Sequence, residues 1–318
     1  MCTGIRFADK DGNLYFGRNL DWTFSYGEKP IITPRGFAKP WAFNGADAGT
    51  DDARAVIGMG IEVEGLPLYF DCANEDGLAV AGLNFPGFAQ YEPKPVDGKV
   101  NVAAYEFPLW VAKRFSTVDQ VEEALKGTAI VAKPVNDKYP VAMLHWLIGD
   151  GTRSIVVECM DSGLHVHHDD IDVLTNQPQF DWHRENLRDY MNLTPAVPAD
   201  VSWRDAKLTA FGSGFGMRGL PGGFCSPDRF VRVAYLHAHY PEQETEAANV
   251  SRMFHTLTGV AMIDGGAKVA DGDFERTLYT GGYSARTQTY YWSTYEDPAI
   301  KSLALAGHDL DGKELAFA

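Results

Sequence analysis

The chain has 318 residues, is 45% hydrophobic and 12% aromatic, and carries 43 acidic against 28 basic residues, a formal net charge of −15. That composition excludes a disordered polymer and argues against nucleic acid or an anionic membrane as the main partner, since both reward basic stripes. No run of 18 apolar residues occurs and MCTGIRFADK lacks an apolar leader core, so neither a membrane span nor a signal peptide is expected.

In chain order, CTGIRFAD and NLYFGRNLDW alternate with period two and flank DKDGN, an Asp-Gly turn signal, so they read as an N-terminal hairpin. RAVIGMGIEV, LYFDCAN and LAVAGLNFP continue the strand pattern, with NEDG as a tight turn between the last two. AAYEFPLWVAKRF has helical spacing despite Pro108. STVDQVEEALKG is a clearer helix, with Ser116 or Thr117 as N-cap and Gly127 as its stop. AMLHWLIGD and RSIVVECMD read as a second hairpin, and HVHHDDIDVLTN as the strand after it. FDWHRENLRDYMN, the stretch from Asp228 through VRVAYLHAHY, and EAANVSRMFHTL carry helical spacing. RTLYTGGYS and TQTYYWSTYED are late strands rich in Tyr, Thr and Trp.

Strands grouped at both ends, with helices between and after them, make this an α+β chain. Two sheets facing each other with helices outside would suit the pattern. With no repeat and no low-complexity linker, residues 1–318 are expected to form one domain. Residues 191–227 stand apart: TPAVPAD and GSGFGMRGLPGGFCSP form a Gly/Pro-rich loop of a length usually tied to function or assembly.

The chemistry gathers at the N-terminus. Cys2 is small enough for Met1 to be trimmed, which leaves one residue bearing both a thiol and a free amine. Only the thiolate attacks, and an α-amine with a pKa of about 8 can accept the thiol proton within the same residue. Arg18 on the partner strand puts a permanent cation where a thiolate can pair with it. Asp21 can hold the amine or the Arg by charge-assisted hydrogen bonds. The bland alternative is an incidental N-terminal Cys beside a surface ion pair worth about 0–1 kcal/mol.

MCTGIRF, YFGRNLDW, NEDGLAVAGLNFPGF, DVLTNQPQFDWH and SPDRFVRVAY, in this order over essentially the whole chain, resemble the blocks of the choloylglycine hydrolase family. That family comprises the conjugated bile salt hydrolases and the related penicillin V acylases, and the likeness is closest to bile salt hydrolases of gut actinobacteria. The resemblance implies the N-terminal-nucleophile hydrolase fold, a four-layer αββα sandwich of antiparallel sheets flanked by helices. It implies Cys2 as nucleophile and, through its own amine, as base. Arg18 and Asp21 match the charged pair around the nucleophile, Asn84 and Asn176 the two asparagines, and Arg229 the distal arginine. The amide of Asn176 and the backbone N–H of Asn84 are the candidate oxyanion donors, although each Asn shortly precedes a Pro and would otherwise read as a turn residue. Asn84, where penicillin V acylases usually carry Tyr, favours the bile salt branch. No propeptide is apparent, so Met1 removal should be enough for maturation.

The resemblance further implies a conjugated bile salt as substrate, no cofactor, no metal and a homotetramer built partly by residues 191–227. An apolar cleft should hold the steroid, with Trp22, Phe24 and Tyr26 as candidates that could equally be core. Penicillin V and N-acyl homoserine lactones are alternative substrates for the same chemistry. A non-catalytic amphiphile binder is the reading from another class, disfavoured by the intact residue set.

Two further signals are weaker. GFGMRG satisfies G-x-G-x-x-G, but LPGG follows where a helix would have to start. LHVHHDD gathers His165, His167, His168, Asp169 and Asp170, which read as solvated strand residues rather than metal ligands or the centre of a metal hydrolase. Cys72 and Cys159 lie in apolar runs and read as core, Cys225 lies in a loop, and the scatter of the four cysteines fits free thiols in the cytoplasm.

Overall fold

The N-terminal hairpin forms as its period predicts. β1 (Cys2–Ala8) pairs antiparallel with β2 (Leu14–Trp22), Cys2 opposite Leu20 and Gly4 opposite Arg18. The computed structural model describes residues 1–38, 41–43, 53–270 and 272–318. After the hairpin come β3 (Lys29–Thr33), β4 (Val56–Val63), β5 (Leu66–Asn74), β6 (Ala79–Asn84) and β7 (Val100–Ala103). Next are α1 (Phe107–Arg114), α2 (Val118–Leu125), β8 (Thr128–Val131), β9 (Leu144–Gly149), β10 (Ser154–Met160), β11 (Gly163–Asp169) and β12 (Val173–Leu174). α3 (Phe180–Asn186), β13 (Val201–Trp203), β14 (Ala206–Leu208), α4 (Ser226–His239) and α5 (Glu246–Thr258) lead into β15 (Ala267–Lys268) and β16 (Phe274–Ser284). β17 (Thr289–Thr294), β18 (Lys301–Ala304) and β19 (Ala316–Phe317) close the chain.

Two antiparallel sheets dominate. The first runs β12-β1-β2-β16-β17-β18, with β15 on β16, and the second runs β11-β10-β9-β6-β5-β4-β3-β19. They meet face to face where Gly4 leaves room: a Cβ there would lie 3.1 Å from Leu147 and 3.8 Å from Leu83. α4 and α5 cover the outer face of the first sheet, and α1 and α2 that of the second, which gives the αββα sandwich. Gly17 and Gly282 are what let α5 lie so close, because a Cβ on either would fall within 2.7 Å of the Met253 sulfur. On the other outer face, Trp146 of β9 packs against Phe107 of α1 with ring centroids 4.5 Å apart.

Local signals explain most element ends. Pro108 sits in the first turn of α1, where its missing N–H costs nothing, and a 3₁₀ turn over Ala104–Glu106 precedes it. Thr117 caps α2 by accepting the Gln120 N–H. Three expectations need correction. HVHHDDIDVLTN is not one strand: it breaks into β11 and β12, which belong to different sheets, because the Asp169 carboxylate accepts the N–H groups of Ile171, Asp172 and Val173 and turns the chain. The helix expected over residues 180–192 ends at Asn186 and passes into a 3₁₀ turn, Leu187–Tyr190. Residues 191–227 are not structureless, since they hold the β13–β14 hairpin and a 3₁₀ turn over Phe215–Met217. Among the described residues no helix is long and apolar enough to cross a membrane.

Candidate active site

Period two decides what surrounds Cys2. On β1 and β2, Cys2, Gly4, Arg18 and Leu20 face the second sheet, whereas Thr3, Asn19 and Asp21 face the helices. Arg18 therefore reaches the thiol through the space between the sheets. Its Nη2 donates to Cys2 Sγ at 2.7 Å, while Nη1 donates to the carbonyls of Phe70 and Gly82 at 3.2 and 3.1 Å. Arg18 is fully buried. Burial alone would weaken its charge, but the Cys2 thiol, Tyr279 and Asp71 more than offset that and raise the guanidinium above its ordinary value. The Asp71 carboxylate is in turn held by the hydroxyls of Tyr279 (2.5 Å) and Tyr290 (2.7 Å). Burial pushes the Asp71 carboxyl up, against Arg18 and the two hydroxyls.

Asp21 and Arg229 come from the helix face. Arg229 opens the second turn of α4 and is also fully buried. Its Nη1 donates to the Cys2 carbonyl (2.5 Å) and Thr3 Oγ1 (2.6 Å), its Nη2 to Asn176 Oδ1 (2.6 Å), and its Nε to the Phe224 carbonyl (2.9 Å). Desolvation depresses its pKa, with Asp21 the largest opposing influence. Asp21 does not pair with Arg18. It accepts from Thr277 Oγ1 at 2.6 Å, and its Oδ2 lies 3.9 Å from Arg229 Nη1. The surface ion pair weighed from sequence is thereby excluded, since Arg18 and Asp21 are both at 0% exposure on opposite faces of β2.

The two asparagines meet beside Cys2. Asn176 Oδ1 accepts the Cys2 N–H at 2.8 Å, and Asn176 Nδ2 donates to the Asn84 carbonyl at 2.7 Å. β6 outruns β5, whose pairing with it stops at Asp71 opposite Ala81. Gly82 and Asn84 therefore present unpaired backbone groups on the edge that Arg18 and Asn176 occupy. Behind Asn176, its own N–H goes to Ser226 Oγ (2.9 Å).

Met1 is present and its ammonium donates to the Asp21 carbonyl at 2.5 Å and to Glu275 Oε1 at 2.8 Å. In that state the Cys2 nitrogen is an amide and cannot accept a proton. Asp71, Thr277, Tyr279, Tyr290 and Glu275 are parts of the site that sequence reading missed. Tyr279 and Tyr290 looked like ordinary strand aromatics, and the usable signal was a charged residue, Asp71 or Glu275, inside a strand that is otherwise buried.

Trp22, Phe24 and Tyr26 continue from the end of β2 as an aromatic row, with centroids 6.3 Å and 4.9 Å apart, and Tyr26 lies 5.7 Å from Phe70. Phe24 is 55% exposed, so it is not core. The His cluster is otherwise engaged: His165 meets Ser162 Oγ, and His167 Nδ1 lies 3.1 Å from Asp181. Gly214 and Gly219 have φ of 80° and 100°, and beyond the short 3₁₀ turn at Phe215–Met217 no α-helix starts until Ser226, so the glycine pattern has no α-helix N-terminus behind it.

Three comparisons agree with this geometry. The profile of the family described as linear amide C–N hydrolases, choloylglycine hydrolase family, matches residues 2–318. A protein of Bifidobacterium longum named bile salt hydrolase/transferase is 58% identical over 315 residues, covering 99% of this chain and 98% of its own. A conjugated bile acid hydrolase of Lactobacillus acidophilus is 46% identical, covering 99% of each. The crystal structure of the C2A mutant of the conjugated bile acid hydrolase from Clostridium perfringens superimposes with a TM-score of 0.91 at 36% identity, covering 100% of this chain and 96% of that one.

Proposed function

The chain belongs to the choloylglycine hydrolase family of linear amide C–N hydrolases, and from that premise we propose that it is a bile salt hydrolase that cleaves the amide of glycine- or taurine-conjugated bile salts through Cys2. The observation that carries the assignment of Cys2 is the 2.7 Å contact from Arg18 Nη2 to its sulfur, with Arg18, Asp21, Asp71 and Arg229 all buried around it.

In this mechanism Met1 is removed first, which turns the Cys2 nitrogen into a free amine. That amine takes the thiol proton, and the thiolate, paired with Arg18, attacks the amide carbon. The developing oxyanion is received by the Asn84 backbone N–H and the Asn176 amide, each such donor typically contributing a factor of about 10²–10³. The α-ammonium then returns its proton to the leaving nitrogen, and glycine or taurine departs. Water, deprotonated by the same amine, hydrolyses the thioester and frees the bile acid. Arg229 and Asp21 hold the Cys2 main chain in place. The aromatic row of Trp22, Phe24 and Tyr26 supplies apolar surface for the steroid. Residues 1–318 act as one domain, assembled as a cytoplasmic homotetramer through residues 191–227, whose Trp203 and Phe211 are largely exposed in the single chain.

The test is release of glycine and taurine from conjugated bile salts, with penicillin V alongside, by wild type and Cys2→Ser after Met1 removal is verified by intact mass. Cleavage of bile salts that disappears in Cys2→Ser is the expected result. A correctly processed wild type that cleaves none of the three substrates would overturn the assignment in favour of an amphiphile binder.

A further inference from the structure

Behind the two asparagines lies a buried ionic cluster that the mechanism above does not use. His145 on β9 and Glu158 on β10 are both at 0% exposure. His145 Nδ1 lies 3.0 Å from Glu158 Oε1, and His145 Nε2 lies 3.0 Å from the Thr175 carbonyl. Both neighbours are acceptors. A carbonyl offers no proton, and neither does the Glu158 carboxyl in its ionised form: burial pushes its pKa up, but hydrogen bonds and charge from His145 and His167 bring it down to about 2. Glu158 also accepts the Phe180 N–H at 3.1 Å. The Thr175 carbonyl can only accept, so His145 Nε2 is the donor there, and the ring is held at both nitrogens, by Thr175 on one side and Glu158 on the other.

Two contacts of this ring, besides the clamp by Glu158, border the asparagines. Its face stacks on Phe85, centroids 4.1 Å apart and planes 8° apart, and Phe85 follows Asn84 in the chain. Its Nε2 proton holds Thr175, which precedes Asn176. The asparagines are themselves joined by the 2.7 Å hydrogen bond from Asn176 Nδ2 to the Asn84 carbonyl. His183 completes the support on the Asn176 side, its Nε2 donating to the Asn176 carbonyl at 2.9 Å. The two donor groups thus come from separate segments, Asn84 from the end of β6 and Asn176 from the turn after β12, and one ring contacts both of the neighbouring residues.

We propose that His145, clamped by Glu158, is a positioning residue that sets the separation between the Asn84 backbone N–H and the Asn176 amide, and so tunes the pocket for the tetrahedral intermediate without touching substrate. This rests on the bile salt hydrolase reading of the same site. A ring that only filled the core would affect stability. A positioning ring affects the step in which oxygen acquires charge and leaves thiolate chemistry alone.

The experiment compares folded His145→Gln with wild type in two reactions at Cys2: hydrolysis of a conjugated bile salt and alkylation by iodoacetamide, which builds no oxyanion. Gln can donate to only one of the two acceptors in this geometry. A kcat reduced by about 10–100-fold is expected, since small misplacements of donors cost factors of that order, with KM and the alkylation rate within about twofold of wild type. A kcat reduced by less than about fivefold, or an alkylation rate that falls in parallel with kcat, overturns the proposal. If His145→Gln does not fold, Glu158→Gln is read by the same criteria. Wild type and Cys2→Ser in the same assay separate the two questions. Absent wild-type turnover counts against the bile salt reading, and full turnover by the folded variant counts against the positioning role alone.

Discussion

Two arginines reach Cys2 from opposite faces of one sheet, and they differ in what they grip. Arg18 holds the sulfur, and its charge is balanced at one remove by Asp71 and the hydroxyls of Tyr279 and Tyr290. Arg229 holds the main chain: the Cys2 carbonyl, Thr3 and the Asn176 side chain, with Asp21 as its nearest carboxylate. Burying a guanidinium costs several kcal/mol unless its hydrogen bonds and countercharge are all in place. Both sides meet that cost, but in the mechanism proposed above the thiol side does so with a group that must react, and the main-chain side with groups that must stay still. Electrons and geometry are thus managed from separate faces, and each face can be perturbed alone.

The largest expected effect is on the sulfur itself. Cys2→Ala should lower bile salt turnover by more than about 10³-fold while leaving the melting temperature nearly unchanged, measured by glycine release and by thermal unfolding. Retention of Met1 should be almost as severe, because it removes the base from the main-chain side and leaves the thiol side intact. Turnover in preparations of mixed processing should scale with the fraction lacking Met1 by mass spectrometry, and full activity in a Met1-bearing sample would remove the amine from the mechanism. Third, Arg18→Met should unfold at lower denaturant, by about 3–5 kcal/mol, because Asp71 is left buried without its cation. Adding Asp71→Asn should recover part of that loss, and a strictly additive pair would mean the two charges are not coupled.

Acid should act on the main-chain side first. Burial pushes the pKa of His183, behind Asn176, and of His237 in α4 down to about 4 each. An unfolded chain binds these protons from about pH 6.5 downwards, so the stability these residues hold above that pH is lost between 6.5 and about 4. The loss amounts to roughly 3 kcal/mol for each. Urea midpoints across that range should fall, and His237→Gln should flatten the slope; an unchanged slope would contradict the assignment. The smallest expected effect belongs to Thr277→Val, which leaves Asp21 Oδ1 without its hydroxyl donor and should cost about 1 kcal/mol, read from the shift in denaturation midpoint.

Much of this arrangement was legible in the chain. The alternation of MCTGIRF and NLYFGRNLDW places Cys2 and Arg18 on one face, and the α+β organisation follows from where strands and helices cluster. What alternation alone does not give is which distant strand meets which. The identity of Asp21's partner depended on α4 packing across β1, so Arg18, near in sequence, was the tempting choice over Arg229. The β11–β12 break was hidden because DIDV, after the polar run HHDD, resumes the polar-apolar alternation, while the turn is made by side-chain acceptance at Asp169. Strands β3 and β19 are short, one contains Pro30, and their pairing exists only because the C-terminus returns to that edge. His145 and Glu158 left a trace: they are polar residues at positions where the strand period points into the sandwich.

The bare backbone at Gly17 and Gly282 has an effect on the lifetime of the molecule. The fully buried Met253 sulfur rests where two side chains would otherwise be, with no room on the sheet side for an added atom. While α5 is docked, peroxide cannot reach it. Once the chain opens, a single oxygen added to that thioether makes it polar and bulkier, and the helix can no longer settle back on the sheet. Unfolding in an oxidising medium would then be a one-way event, whatever happens to the thiol at the N-terminus. The yield of refolded protein by circular dichroism, after denaturation with and without peroxide, reports it directly.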